Sequence, residues 1–284
     1  MAFATLREVL ADAERGRYAV GAFNTNNMEI VQAIVEAAEE ERAPVILQAS
    51  QGALKYAGIR YITAIVAAAV ESSSIPVVLH LDHGTSFEQT MLCLKHGFTS
   101  VMFDGSKYSL DENIAATRKV VDVAHAMGFS VEGELGKIGG TEDDISVDER
   151  DALFTDPNEA ERFVRESGVD ALAVAIGTAH GTYKGEPKLD FNRLDTINKI
   201  VDIPIVLHGA SGVPADSIRR AVELGVRKIN IDTELRLAFT RGVQQVVQNK
   251  PGEYDPRKII GPAKEEMKAI IKEKMRLFGC SGKA

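Results

Sequence analysis

The stretch Pro76-Val77-Val78-Leu79-His80-Leu81-Asp82-His83-Gly84 decides how the rest of the chain is read. Its first half is a β-branched apolar run of the kind a strand buried on both faces requires, and its second half sets three titratable groups just before a glycine turn. Strand side chains alternate, so His80 and Asp82 share one face while His83 stands at the exit, where the backbone is already turning. A lone histidine at a strand end is more often a hydrogen-bonded structural residue than a ligand. Recurrence overturns that reading. Apolar runs also close in His-Gly at Ala173 to Gly181 and at Pro204 to Gly209. If eight strands each present about four residues at their exits, chance would put fewer than one of the six histidines there. Three are found: His83, His180 and His208.

The 284 residues suit one α/β barrel, for which about 250 is typical, and a single domain over residues 1–284 is the expected organisation. At 45% hydrophobic and 26% charged, the composition excludes disorder and provides for a large core. The net charge of −8, with no basic cluster carrying interleaved aromatics, argues against a nucleic-acid partner. An anionic ligand must then be captured by local groups. Cys93 and Cys280 make neither a disulfide framework nor a thiolate metal motif, and no apolar leader opens the sequence, so a reducing cytoplasm is expected. No apolar run approaches 18 residues, and no membrane association is expected.

Strand-like runs occur at Ala19 to Asn24, Val45 to Ser50, Val77 to Asp82, Ser100 to Asp104, Ser130 to Leu135, Ala171 to Gly177, Ile205 to His208 and Lys228 to Asp232. Helical patterns separate them. Met28 to Glu41, for example, puts Met28, Val31, Ile34, Val35 and Ala38 on one face. Gly97, Gly128, Gly168 and Gly225 each follow a helix, where a left-handed cap is wanted. Eight strand-helix units without hairpin signals predict a (β/α)₈ barrel, with an extra helix at Thr5 to Arg15 and a helical tail at Lys264 to Leu277. A doubly wound open sheet is the rival, and no Gly-x-Gly-x-x-Gly follows the first strand to support it. The segment Gly136 to Thr155 is too long for an ordinary βα connection, and loops of that length are lids or disordered.

In a barrel all strand C-termini share one mouth, so His83, His180 and His208 are expected to meet there. Three imidazoles with an open fourth position describe a catalytic metal site. Asp82, Asp104, Glu134 and Asp232 reach the same mouth, although Glu132 has the same strand parity as Glu134 and the choice between them is open. The small residues Gly209-Ala210-Ser211-Gly212, leading to a helix N-terminus, suit an oxyanion in the position where barrels bind phosphate. His96 and His125, late in helices, read as solvated, and the charge run Glu39 to Arg42 reads as a solvated helix end.

The three His-Gly exits, Val-Glu-Gly-Glu-Leu-Gly at 131 to 136, Gly-Gly-Thr-Glu-Asp at 139 to 143, His-Gly-Ala-Ser-Gly at 208 to 212 and Asn-Ile-Asp-Thr at 230 to 233 resemble, in order and over nearly the whole chain, the class II zinc-dependent fructose-bisphosphate aldolases and their tagatose-bisphosphate relatives. The resemblance implies cleavage of fructose 1,6-bisphosphate. It implies Zn²⁺ on His83, His180 and His208, with other divalent first-row metals as alternatives and a monovalent cation as an assisting ion. Asp104 and Glu134 match a second or alternative metal position. Asp82 matches the proton donor to the aldehyde oxygen in condensation, and Glu142, on a mobile loop, the acid/base at C3. Gly181, Gly209, Ala210, Ser211, Asn230, Ile231, Asp232 and Thr233 match the contacts to dihydroxyacetone phosphate. Ser50 matches a contact to the other half, Asn24 and Lys184 are further substrate contacts, and Arg257 resembles a basic residue that reaches the far phosphate from a neighbouring subunit. A homodimer or homotetramer is expected.

His-Gly-Ala-Ser-Gly leans towards the tagatose branch, whereas Asn-Ile-Asp-Thr and Tyr-Asp-Pro-Arg lean towards the fructose branch. A non-catalytic subunit that assists a partner aldolase is the reading from another class. A Schiff-base mechanism would need a lysine well placed in the mouth, and Lys228 instead begins the eighth strand, at the wrong end.

Overall fold

The computed structural model describes residues 3–142, 145–148 and 152–284. In chain order its strands are β1 (Val20–Asn24), β2 (Val45–Ser50), β3 (Val77–Gly84), β4 (Ser100–Phe103), β5 (Ser130–Leu135), β6 (Gly139–Glu142), β7 (Ile145–Val147), β8 (Ala171–Val174), β9 (Ala179–His180), β10 (Ile205–Leu207) and β11 (Val226–Ile231). Eight of them close into a parallel barrel in the order β1-β11-β10-β8-β5-β4-β3-β2. These eight are the eight runs read from the sequence, and each is buried at every position. Burial on both faces is what parallel strands under a layer of helices require.

The helices are α1 (Leu6–Gly16), α2 (Met28–Glu41), α3 (Gln51–Ala57), α4 (Ile59–Glu71), α5 (Phe87–Lys95), α6 (Leu110–Ala126), α7 (Pro157–Ser167), α8 (Phe191–Ile200), α9 (Ala215–Glu223), α10 (Thr233–Asn249) and α11 (Pro256–Phe278). Side-chain caps start several of them: Thr5 and Ser109 form capping boxes with Glu8 and Glu112, and Asp156 caps α7 ahead of Pro157. The four glycines expected at helix ends all have positive φ. Arg17 and Arg42 take the same left-handed conformation at the ends of α1 and α2, with no glycine to announce it.

Three regions depart from the sequence reading. The turn-length helix α3, capped by Ser50, is too short to show an apolar period. The long connection after β5 is partly built: β6 pairs antiparallel with β7, and in parallel with β9, so that Gly140 lies opposite His180. The last helix begins at Pro256 rather than Lys264, because Asp255 caps it and proline suits its first turn.

α11 packs on α2 and α10. Here the run Glu39 to Arg42 is more than a solvated end. Glu36 receives Lys264 at 2.5 Å, Glu40 receives Lys268 and Lys272, and Glu41 receives Arg276 at 2.6 Å, while Glu39 takes the hydroxyls of Ser73 and Ser74. The approach of α10 to α11 depends on Gly242, where an added Cβ would stand 2.5 Å from the Cα of Ala263. Gly242→Val is expected to destabilise the fold by about 1–3 kcal/mol through overpacking. Calorimetric melting of the variant checks this, and an unchanged melting temperature would show that the two helices separate freely.

Candidate active site

Ordinary alternation would turn Asp82 into the barrel and His83 out of it. The structure brings both to the mouth, because His83 adopts a left-handed backbone with φ 49° and the β3/β4 register slips there, with Leu81 opposite Val101 and Gly84 opposite Phe103. The extra residue is a bulge that re-aims a side chain. Gly84 makes the bulge possible: a Cβ there would meet the carbonyl oxygen of Met102 at 2.7 Å.

His83, His180 and His208 converge from β3, β9 and the end of β10. Their ring centroids are 5.1, 4.7 and 6.0 Å apart, and their ligand atoms all lie within 4.8 Å of one another. The outward nitrogens of two rings are already engaged, His83 Nδ1 by Asp104 Oδ2 at 3.0 Å and His208 Nε2 by Glu132 Oε1 at 2.8 Å. Their inward nitrogens face each other at 2.9 Å. Such a donor set, oriented by carboxylates from behind, fits a divalent metal with a position left for a ligand.

The electrostatics point the same way. Burial pushes His180 down to about 3 and His208 well below the usual histidine range, so both imidazoles present neutral lone pairs. Burial also works against charge on His83, but the hydrogen bond it donates to Asp104 and the negative charges of Asp82, Glu134 and Asp104 outweigh it and hold His83 well above its usual value. Burial pushes Glu134 well up, with Asp104 adding to it; Asp104 itself is held low, chiefly by His83, against its own burial. His83, Asp104 and Glu134 make a second cluster of donor atoms. Glu132 does not share it and sits beside His208 instead, which settles the choice between the two glutamates for this position.

Asp82 is fully buried and well satisfied: Asn24 Nδ2 donates to its Oδ2 at 2.8 Å, Gln48 Nε2 to the same oxygen at 3.0 Å, and Asn230 Nδ2 to Oδ1 at 3.2 Å. Burial would raise it, yet the nearby His83, His208 and Lys228 and the bond from Asn24 lower it, so it is ionised at neutral pH. His80 turns to Ser100 Oγ at 2.8 Å rather than to Asp82.

Beside the cluster a pocket is lined by His180, Gly181, Gly209, Ser211, Asn230, Asp232 and Thr233, together with Thr141 and Arg236. Thr233, which lines this space, opens α10, so the pocket lies at a helix N-terminus. Gly209, at φ 62°, lies so close to Ala179 that a Cβ would stand 2.6 Å from its carbonyl oxygen. Ala210 and Ile231 are buried just behind it. Tyr183 ties the two exits, accepting from Ala179 N–H at 2.7 Å and donating to Gly209 O at 2.8 Å. Glu234 receives the Gly212 N–H at 2.8 Å and pairs with Lys274 at 2.6 Å, fixing the loop from below. Ser50, at the end of β2, is the ladder partner of Asp82 on the neighbouring strand.

Two expected residues lie apart from this pocket. Lys184 lines adjoining clefts with Gly185. Arg257 is 88% exposed and is held by Asp255 at the head of α11. The side chain of Glu142 lies outside the described residues, although its backbone belongs to β6.

A sequence model described as fructose-bisphosphate aldolase class-II matches residues 4–283. The chain belongs to the class-II fructose-bisphosphate aldolase family. It is 49% identical to a fructose-bisphosphate aldolase of Geobacillus stearothermophilus over 100% of this chain and 99% of that one, and 48% identical to one of Thermus caldophilus over 98% of each. Among solved structures, the YdjI aldolase from Escherichia coli K12 superposes with a TM-score of 0.87 at 33% identity, covering 99% of both chains.

Gln48, Tyr183, Glu234 and Arg236 escaped the sequence reading, Glu132 entered it only as the rival of Glu134, and Lys228 only as a Schiff-base candidate set aside. Gln48, Glu132 and Lys228 sit mid-strand, where a polar residue facing the barrel axis is the available signal; the others lack any periodic mark. Lys228 lies low in β11, as read, and its side chain reaches Glu132 and Asn230. Because the surrounding carboxylates hold His83 well above the usual histidine range, a cation binding through its ring competes with a proton there, and affinity should fall as the pH is lowered. Titration calorimetry of metal binding in buffers of different ionisation enthalpy should show about one proton released per metal at pH 7. Release of none would mean that the ring is already neutral.

Proposed function

We propose that this chain catalyses reversible cleavage of fructose 1,6-bisphosphate to dihydroxyacetone phosphate and glyceraldehyde 3-phosphate, with Zn²⁺ as the native metal. The observation that carries this reading is the meeting of three imidazoles with an ionised Asp82 beside a pocket built from glycine backbone and a helix N-terminus. Full-length similarity to fructose-bisphosphate aldolases supports the choice of sugar.

A divalent cation on His83, His180 and His208 supplies Lewis-acid polarisation of the ketose carbonyl. Asp104 and Glu134 offer, with His83, a second position for it. In cleavage, Asp82 accepts the C4 hydroxyl proton. Its Oδ1, with one long bond from Asn230, is the freer oxygen, since Oδ2 already receives Asn24 and Gln48. Glu142 returns a proton to C3, carried there by the strand that pairs with β9 beside His180. Gly181, Gly209, Ala210 and Ser211, with Asn230, Ile231, Asp232 and Thr233, hold the phosphate of the ketone half. Asn24 and Ser50 face the aldehyde half, with Lys184 at the rim. Arg257 serves the site of a neighbouring subunit in a homodimer or homotetramer; its exposure on the tail helix is compatible with that. The chain works in the cytoplasm as a single domain; no single helix among the described residues is long and apolar enough to cross a membrane.

Asp82→Asn should lower kcat by about 10²- to 10⁴-fold, the usual worth of an acid/base group, while metal content stays at the parental level. Chelation should abolish cleavage, and borohydride with substrate should leave the enzyme untrapped. Lys228 Nζ is buried against Glu132 and Asn230, so a trapped lysine would refute the mechanism. Measurement of kcat/KM on a metal-quantified sample is expected to favour fructose over tagatose 1,6-bisphosphate. Preference for tagatose would reassign the substrate, and inactivity on both would favour a partner-dependent role.

A further inference from the structure

Lys228 is 0% exposed inside the barrel, and its ammonium group donates to Asn230 and forms an ion pair with Glu132. Glu132 Oε2 lies 2.9 Å away and Asn230 Oδ1 2.8 Å away. Each partner leads to a different part of the site. The other oxygen of Glu132 holds His208 Nε2 at 2.8 Å. The amide nitrogen of Asn230 stands 3.2 Å from Asp82 Oδ1 and 3.3 and 3.4 Å from the ring nitrogens of His208.

An ammonium group donates and never accepts. It therefore accepts no arrangement in which Asn230 turns its nitrogen down, so the oxygen is fixed towards Lys228 and the nitrogen towards Asp82. Without that cation the orientation of the amide would rest on the long 3.2 Å bond from its nitrogen to Asp82 Oδ1 and on its contacts with His208. Glu132 is constrained likewise: one oxygen is held by the cation, which leaves the other facing the imidazole. A carboxylate behind a metal-ligating histidine fixes its tautomer and ring angle. A buried ion pair is seldom justified by stability, because apolar residues of similar volume fill such a place equally well. Its geometry here has a use instead.

We propose that Lys228 is a positioning residue serving both halves of the centre, holding Glu132 against His208 and Asn230 against Asp82. It touches neither the metal nor the substrate. Part of the test rests on the aldolase activity and part does not. Lys228→Met should weaken metal binding by about 10- to 100-fold, read by competition with a chromophoric chelator. At saturating metal its kcat on fructose 1,6-bisphosphate should fall by about 10²-fold with KM little changed, as misplacement of a reacting group predicts.

The double variant Lys228→Met with Glu132→Gln removes both buried charges and separates positioning from charge compensation. Its melting temperature should return towards the parent's while kcat stays low, because nothing yet restrains Asn230. The double variant carries the test if the single one fails to fold. Parental kcat in either variant once folded and metal-saturated, or parental metal affinity in Lys228→Met, would overturn the proposal. A parent that binds metal but cleaves neither sugar would defeat the activity reading alone, leaving the affinity measurement to decide for Lys228.

Discussion

Glu132, Lys228, His80 and His208 lie inside a closed barrel at 0% exposure, so every charge and every lone pair there must find its partner within the protein. An isolated buried charge is far too costly to persist, and the usual remedy is pairing or neutralisation. Lys228 answers Glu132. Higher up, Asp82, Asp104 and Glu134 crowd the mouth around His83, and burial, with Asp104 adding to it, drives Glu134 well above the carboxylic range. Negative charge accumulates where the imidazole nitrogens converge. A bound divalent cation would relieve that accumulation, which is why the same groups that look strained without it form a coherent donor set.

Barrel closure is the second constraint. Strands far apart in sequence deliver their exits to one mouth, and the sheet needs no special sequence to achieve this beyond eight buried apolar runs. The chemistry then depends on local departures from regularity at those exits. At β3 the departure is a bulge with a left-handed histidine; at the following exits it is a pair of glycines, Gly140 and Gly209, whose backbones approach other backbones too closely for any side chain.

This division explains what the sequence disclosed. The eight strands and most helices were legible because burial imposes apolar periodicity, and the three histidines were legible because each ends such a run before glycine. Strand parity placed Asp82 correctly but was silent on how His83 joins it, since a bulge is a property of two paired strands. The contacts of Lys228 were illegible for a related reason: backbone position shows where a residue starts, whereas a long side chain reaches a residue further along the strand. Gln48 and Tyr183 act through hydrogen bonds to partners that only folding brings near. Segment 136–155 was recognisable as unusual by its length, but its pairing with β9 required the sixth exit to be in place.

That pairing ties two functions together. Gly140 and His180 are ladder partners, and a methyl group on Gly140 would strike the His180 carbonyl oxygen at 2.1 Å. The strand bearing Glu142 is thus laddered directly onto the backbone that carries one imidazole, with Gly139 opposite Ala179 and Gly140 opposite His180. Any displacement of that imidazole is transmitted to the hairpin, and selection cannot alter the reach of one without resetting the aim of the other.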